Sequence, residues 1–307
     1  MTLPVTVVIP TVGRPAWLEL CIKAVLAQSP RPERVVAIGR PEDRPSKAVV
    51  ARFAGQVDWA EVTLPGHADP IRVAARICDT EFLAVLDDDA EPVRTDWLSE
   101  LFAVLRDERV ALVGSRVIED SPAPRRVRRD AGRITWYGRP IGNVAGRTDP
   151  KPIEVDMVPE GNSMWRTTAL REIPIDALWD VGDAALYGLD LALSAKRRGW
   201  SVYFTAAAPI VHHLAPRVES IGSRSDPQHR VRVFARNMTY IAAKHYRLRL
   251  VPFAIWSVIV GDSALIGTVS ALVALLRGRR GLVRPSIGGR LDGFRAWRYR
   301  ARSHLGV

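Results

Sequence analysis

The chain has 307 residues, 47% of them hydrophobic and 25% charged, with a formal net charge of +11. That length and apolar content suit one large α/β domain, or one domain with an appendage, and no internal repeat or low-complexity segment is present. The two cysteines, Cys21 and Cys78, lie in apolar helical patterns without metal-ligand spacing, which argues against a disulfide framework and favours a reducing compartment.

From the N-terminus, "VTVVIP" (5–10) reads as a buried strand entered within a few residues, with no export signal before it. Thr11 to Arg14 form a polar loop, and Pro15 suits a helix start. Trp17, Leu18, Cys21, Ile22, Val25 and Leu26 recur at helical spacing. A strand at Val35 to Ile38, a helix around Ser46 to Phe53, a short strand near Ala60 to Leu64 and a helix from Asp69 to Cys78 follow. "EFLAVLDDDAEP" then runs five mostly apolar residues, Phe82 to Leu86, into Asp87, Asp88 and Asp89. Alternating strands and helices with short connections predict a parallel sheet covered on both faces, with these aspartates at the carboxyl end of a central strand. Adjacent carboxylates repel, hold protons or demand a cation, so the cluster suits a divalent metal; the competing reading is a solvated acidic turn.

A helix around Trp97 to Leu105 and a strand at Val110 to Val113 continue the pattern. It breaks at 119–152, where prolines, glycines and arginines are too dense for regular structure. Near the C-terminus, 251–276 is a run of 26 residues with Asp262 as its only charge, interrupted by Gly261, Asp262 and Gly267. That approaches spanning length and predicts a segment in, or dipping into, the cytoplasmic leaflet; the alternative is a buried helix pair. The tail 277–307 carries nine arginines against Asp292, 9 − 1 = +8, which suits anionic headgroups. Nucleic acid is the weaker reading, because stacking aromatics are sparse outside "FRAWRYR".

Five stretches in order resemble the family 2 glycosyltransferases of the GT-A fold. "VVIPTVGRP" is similar to the family's first strand and nucleotide loop, and "LAVLDDDAEP" to its metal motif. "PEGNSMWRTTALREI" resembles the segment beneath the acceptor, and "LDLALSAKRRGWSVYFTAAAPIVHH" the late helix, strand and histidine. "FARNMTYIAAKHY" echoes a helix of members that extend polysaccharides or lipid-linked glycans. The resemblance implies a Rossmann-like, mostly parallel sheet with helices on both faces in 1–215; the apolar run and the basic tail add the expectation of a helical, membrane-associated extension in 216–307. It implies Mg²⁺ or Mn²⁺ on Asp87, Asp89 and His212 (or His213), and a nucleoside diphosphate sugar against Pro10, Thr11, Arg14, Asp43, Asp87 and Asp88. Gly161, Asn162 and Trp165 fall in the acceptor segment.

The chain departs from that pattern where the family places Glu-Asp and, two residues later, a further aspartate. Counting back from Gly199 puts Tyr187 and Gly188 on Glu-Asp and Asp190 on the later aspartate; counting forward puts Asp190 on the base itself. Asp190 is therefore the base nominated here, with Asp183 and Asp180 in reserve. After the second strand, Gly39 and Arg40 stand where an aspartate often reads the nucleobase, which leaves Asp43 or backbone groups. The resulting expectation is a metal-dependent inverting glycosyltransferase at the cytoplasmic face of the cell membrane, acting on a glycan or polyprenyl-linked glycan in cell-envelope synthesis. A non-catalytic relative that binds nucleotide-sugar or glycan is the alternative.

Overall fold

A computed structural model describes residues 2–64, 66, 68–119, 127–180, 185–215, 226–263, 265–277 and 280–305. Asp183 lies outside them. The chain gathers into two compact units, one of Met1–Arg133, Ile141–Ile175 and Leu191–Glu219, the other of Ile134–Pro140, Asp176–Asp190 and Ser220–Val307.

The first unit alternates β1 (Thr2–Pro10), α1 (Pro15–Leu26), β2 (Arg31–Gly39), α2 (Arg44–Ala51), β3 (Asp58–Glu61), α3 (Asp69–Ile77) and β4 (Phe82–Leu86). Then come β5 (Ala90–Pro92), α4 (Trp97–Leu105), β6 (Val110–Glu119), β7 (Ile153–Glu154), β8 (Asn162–Arg166) and α5 (Thr167–Arg171). The helix α6 (Tyr187–Arg197) and the strand β9 (Ser201–His212) complete it, although the first turn of α6, through Asp190, counts with the second unit.

Local chemistry explains the element starts. Pro15 opens α1, whose buried face is Leu18, Cys21, Ile22 and Val25. Asp43 caps α2 by accepting from the Ser46 N–H at 3.2 Å. In α3, Asp69 takes the N–H groups of Thr63 and Leu64 at 2.7 and 2.8 Å, tying the preceding loop to the helix start. All five residues of β4 are buried, so the strand is covered on both faces.

The sheet order is β3-β2-β1-β4-β8-β6-β9-β5, with β7 on β9. The first four strands are parallel, as alternation predicts. The expectation of one parallel run ends there: β8 is antiparallel to both β4 and β6, and β5 antiparallel to β9. Among the described residues no α-helix lies between β6 and β8, so nothing forces a parallel entry there. β3 also starts two residues before its predicted position and stops at Glu61.

The second unit contains α7 (Pro227–His245), α8 (Leu250–Ile259), α9 (Thr268–Leu276) and α10 (Val283–Leu305). The apolar run 251–276 divides between α8 and α9, and among the described residues no helix is long and apolar enough to cross a membrane. The break is built by Gly261, at φ 62°, and by Asp262, whose carboxylate accepts from the Leu265 N–H at 2.9 Å and pairs with Arg139 at 3.3 Å. A left-handed glycine followed by a turn-forming aspartate ends a helix however apolar its flanks are.

Candidate active site

β4 lies between β1 and β8 and ends at Leu86, so the three aspartates leave the sheet at a strand's carboxyl end. The pairing of β5 with β9 sets Ala90 opposite His212, and the His213 N–H donates to the Asp89 carbonyl at 2.9 Å. Backbone register thus delivers His212 to the aspartates across 123 positions of sequence, with its Nε2 at 3.1 Å from Asp89 Oδ1 and 3.9 Å from Asp87 Oδ2. One ligand atom each from Asp87, Asp89 and His212 fall within 4.8 Å of one another. His213 is directed elsewhere: its Nε2 lies 2.9 Å from Glu91 Oε1, and its ring stacks on Trp17 at 4.9 Å. Of the two histidines, His212 joins the cluster.

The aspartates have different tasks. Asp88 is fully buried, taking the Thr11 hydroxyl on Oδ2 at 2.7 Å and Arg14 Nη2 on Oδ1 at 2.6 Å. Arg14 Nη1 continues to Asp89 Oδ2 at 2.6 Å, and that oxygen also accepts the Ala215 N–H at 3.0 Å. Donors on Oδ2 fix the Asp89 carboxylate so that Oδ1 faces His212. Burial alone raises Asp89, but its bond to His212 and the Arg14 charge outweigh burial and hold it at about 2. Burial dominates at Asp88 and pushes it up to about 7 against the pull of Arg14 and Thr11.

Gly161 backs the third carboxylate. Its carbonyl accepts the Asp87 N–H at 3.2 Å, and a Cβ there would sit 2.0 Å from Asp87 Oδ2. Only a residue without a side chain leaves that space to the carboxylate. The sequence placed Gly161 in the acceptor segment; the structure puts it behind Asp87. Its neighbours are core residues. Asn162 is fully buried, accepts from Trp97 Nε1 at 2.8 Å, and donates to the carbonyls of Arg116 and Ala208 at 3.0 Å each. Trp165 is buried between Leu83 and Leu112 in the strand register. Asp43 Oδ2 takes the Gly13 N–H at 2.6 Å, pinning the loop that carries Thr11 and Arg14. That loop begins at Pro10, the last residue of β1.

A family model described as "Glycosyl transferase family 2" matches residues 6–173, more than half of the chain. The chain belongs to glycosyl transferase family 2. A search of curated proteins finds no match to the sequence. Among solved structures, this glycosyltransferase is similar to the mannosyltransferase PcManGT from Pyrobaculum calidifontis in complex with GDP-Man and Mn²⁺. That likeness has TM-score 0.58 and 17% identity, over 95% of this chain and 87% of the other. It is also similar to S. aureus TarS 1–349 in complex with UDP-GlcNAc, at TM-score 0.57 and 12% identity, over 98% of this chain and 92% of the other. GalNAc-T7 with UDP, GalNAc and Mn²⁺ matches at TM-score 0.55 and 14% identity, over 78% of this chain and 50% of that one. These likenesses carry the GT-A fold.

In this glycosyltransferase the nominated base, Asp190, belongs to a buried ionic network inside the second unit. Its carboxylate is fully buried, accepting from Lys244 Nζ at 2.8 Å, His245 Nε2 at 2.6 Å and Trp179 Nε1 at 3.0 Å. Lys244 also reaches Asp176, which accepts from the Tyr240 hydroxyl at 2.6 Å and Arg300 Nε at 2.7 Å. Burial raises Asp190, yet the bond to His245 and the Lys244 charge outweigh it and keep the carboxylate below its ordinary range. Two of its donors come from "AAKHY", a stretch that the sequence matches to a helix without giving Lys244 or His245 a role. The adjacent Lys-His pair at the end of a helical pattern was the available signal.

Proposed function

We propose that the protein is a metal-dependent, inverting glycosyltransferase that moves a sugar from a nucleoside diphosphate donor to a glycan or polyprenyl-linked glycan in cell-envelope synthesis. The observation that carries this reading is the cluster of Asp87, Asp89 and His212 at the carboxyl end of β4, with Gly161 clearing space behind Asp87. Two carboxylates and an imidazole are a donor set for Mn²⁺, or Mg²⁺ with water completing its shell. Bound there, the ion would neutralise charge developing on the leaving diphosphate. The protein's own residues do the rest. Arg14 and the Ala215 N–H hold Asp89, Thr11 and Arg14 hold Asp88, and Asp43 holds the Gly13 loop where the nucleotide is read.

Inversion needs a group that accepts the acceptor hydroxyl proton as its oxygen attacks the anomeric carbon. We assign that proton to Asp190, with Asp183 and Asp180 in reserve. Asp190 is held below the ordinary carboxylate range and anchored by three donors, so it acts as base only by exchanging one of them for the acceptor hydroxyl. A second reading, a nucleotide-sugar-binding relative without transfer, is supported by Tyr187 and Gly188, which begin α6 where the resemblance expects Glu-Asp. The membrane face is the proposed place of work, supported by the exposed apolar residues of α8 and α9.

Transfer assays with UDP-, GDP-, dTDP- and CDP-sugars and Mn²⁺ separate these readings. Asp89→Ala is expected to lose at least about 10²-fold in kcat/KM, the loss typical of one electrostatic stabiliser. Full activity in that variant would remove the metal site from the mechanism. Metal-dependent nucleotide binding without transfer to any glycan acceptor would favour the binding protein.

A further inference from the structure

The basic C-terminal segment reads in sequence as a charged tail. In the structure it is a helix, α10, with two opposed faces. On one face Gly289 and Gly293, four residues apart, sit directly on α7. A Cβ on Gly289 would lie 2.1 Å from the Arg232 carbonyl oxygen, and one on Gly293 would lie 2.2 Å from that of Arg236. The backbones approach there as closely as glycine permits, which fixes the rotation of α10 about its axis. Ser286, on that side, is fully buried and its hydroxyl accepts from the Ile266 N–H at 3.0 Å.

With the glycines turned inward, Ile287, Leu291 and Phe294 are exposed at 51%, 54% and 47%. They fall at i, i+4 and i+7, so they form one stripe along the helix. Arg284 and Arg298 are exposed near the ends of the stripe, and Arg295 and Tyr299 are exposed at its edge. The acid of this helix, Asp292, is engaged by Arg232 at 2.8 Å and by Arg295 at 3.8 Å. Two other helices of the unit repeat the pattern. α8 exposes Val251, Ile255, Val258 and Ile259, and α9 exposes Val269, Leu272, Val273 and Leu276, each set on one helical face.

We propose that α10, together with α8 and α9, is an interfacial device for an anionic phospholipid leaflet, in which the stripe Ile287–Leu291–Phe294 enters the headgroup boundary and Arg284, Arg295 and Arg298 meet the lipid phosphates. The inference rests on the membrane-face reading above and gives it a mechanism: shallow insertion of amphipathic helices, without a span and without charge alone. Charge complementarity selects the occupant, because a stripe bordered by arginines matches an apolar layer bordered by phosphates. A second copy of the chain would bring the same arginines against each other.

Vesicle sedimentation of the full-length protein tests this. Vesicles of phosphatidylcholine alone are compared with vesicles of phosphatidylcholine and phosphatidylglycerol, in low and high salt. Binding is expected on the anionic vesicles and is expected to persist in part at high salt, because the apolar contribution is not screened. Ile287→Ser with Leu291→Ser and Phe294→Ser is expected to lower partition at least about tenfold and to abolish the salt-resistant part. Arg284→Gln with Arg298→Gln should reduce only the salt-sensitive part. Binding that vanishes in high salt, or an apolar triple variant that partitions like wild type, overturns the proposal. So does a triple variant whose sole change, by light scattering, is loss of self-association, since that makes a second copy the occupant. Nucleotide-induced stabilisation is measured on the same variants: if vesicle binding is absent but that stabilisation persists, the lipid face fails and the glycosyltransferase site stands.

Discussion

Asp89 Oδ2 accepts from both Arg14 and the Ala215 N–H, and this decides what Arg14 does. The resemblance places Arg14 in the nucleotide loop, and its bonds also make it a brace between Asp88 and Asp89. Removing such a brace typically costs about 10–100-fold in metal affinity. Arg14→Gln is therefore expected to weaken Mn²⁺ binding by that factor, measured as free Mn²⁺ by electron paramagnetic resonance, while nucleotide still binds at saturating metal. Unchanged Mn²⁺ affinity with lost nucleotide binding would return Arg14 to the donor phosphates. At this scale the sequence exposed the carboxylates, since five apolar residues ending in three aspartates carry their own position. The residues alone could not rank them, because burial, Thr11 and Arg14 set Asp88 apart and all three act through the fold; only the resemblance put Asp87 and Asp89 on the metal. The choice between His212 and His213 was equally hidden, for it depends on which one β9 turns toward β4.

At the scale of elements, the buried network that joins the 176–190 segment to α7 makes a thermodynamic statement. Asp190 is held below the ordinary carboxylate range, so between that range and its folded value the native state binds fewer protons than the unfolded chain. Its contribution is complete above about pH 5 and is lost as pH falls through the folded value. Asp190→Asn should therefore flatten the acid limb of stability against pH in chemical denaturation. Asp190→Ala should cost about 3–5 kcal/mol at neutral pH, because Lys244 and His245 would stay buried without it. A neutral-pH loss below about 1 kcal/mol would show that the network is open to solvent. Turnover read on Asp190→Asn separates anchor from base: an anchor lowers stability and leaves kcat/KM near wild type, whereas a base loses kcat. The parallel elements through β4 were legible because hydrophobic periodicity and short connections determine them. The reversal of β8 was not, since the segment before it is dense in proline, glycine and arginine and carries no period.

Over the whole molecule, composition told of a basic, half-apolar chain, and charge counting located the excess in 277–307. Counting could not show that this region is a helix whose glycines face α7 and whose apolar residues face outward, because that sidedness is set by contact with α7. In the apolar run 251–276 the sequence already marked Gly261 and Asp262 as interruptions, and the backbone turns at them. The proposed function requires that Asp87, Asp89 and His212 hold a divalent ion that binds a nucleoside diphosphate. The most direct test is thermal stability of the purified full-length protein with UDP, GDP, dTDP and CDP, each with and without Mn²⁺, beside Asp89→Ala. A ligand bound only by the native state raises Tm by mass action, by the equivalent of about 2.7 kcal/mol at a hundredfold excess over Kd. A Mn²⁺-dependent rise is expected with one of the four nucleotides and absent in Asp89→Ala; a rise with none of them, or one indifferent to Mn²⁺ and to Asp89, would contradict this metal site.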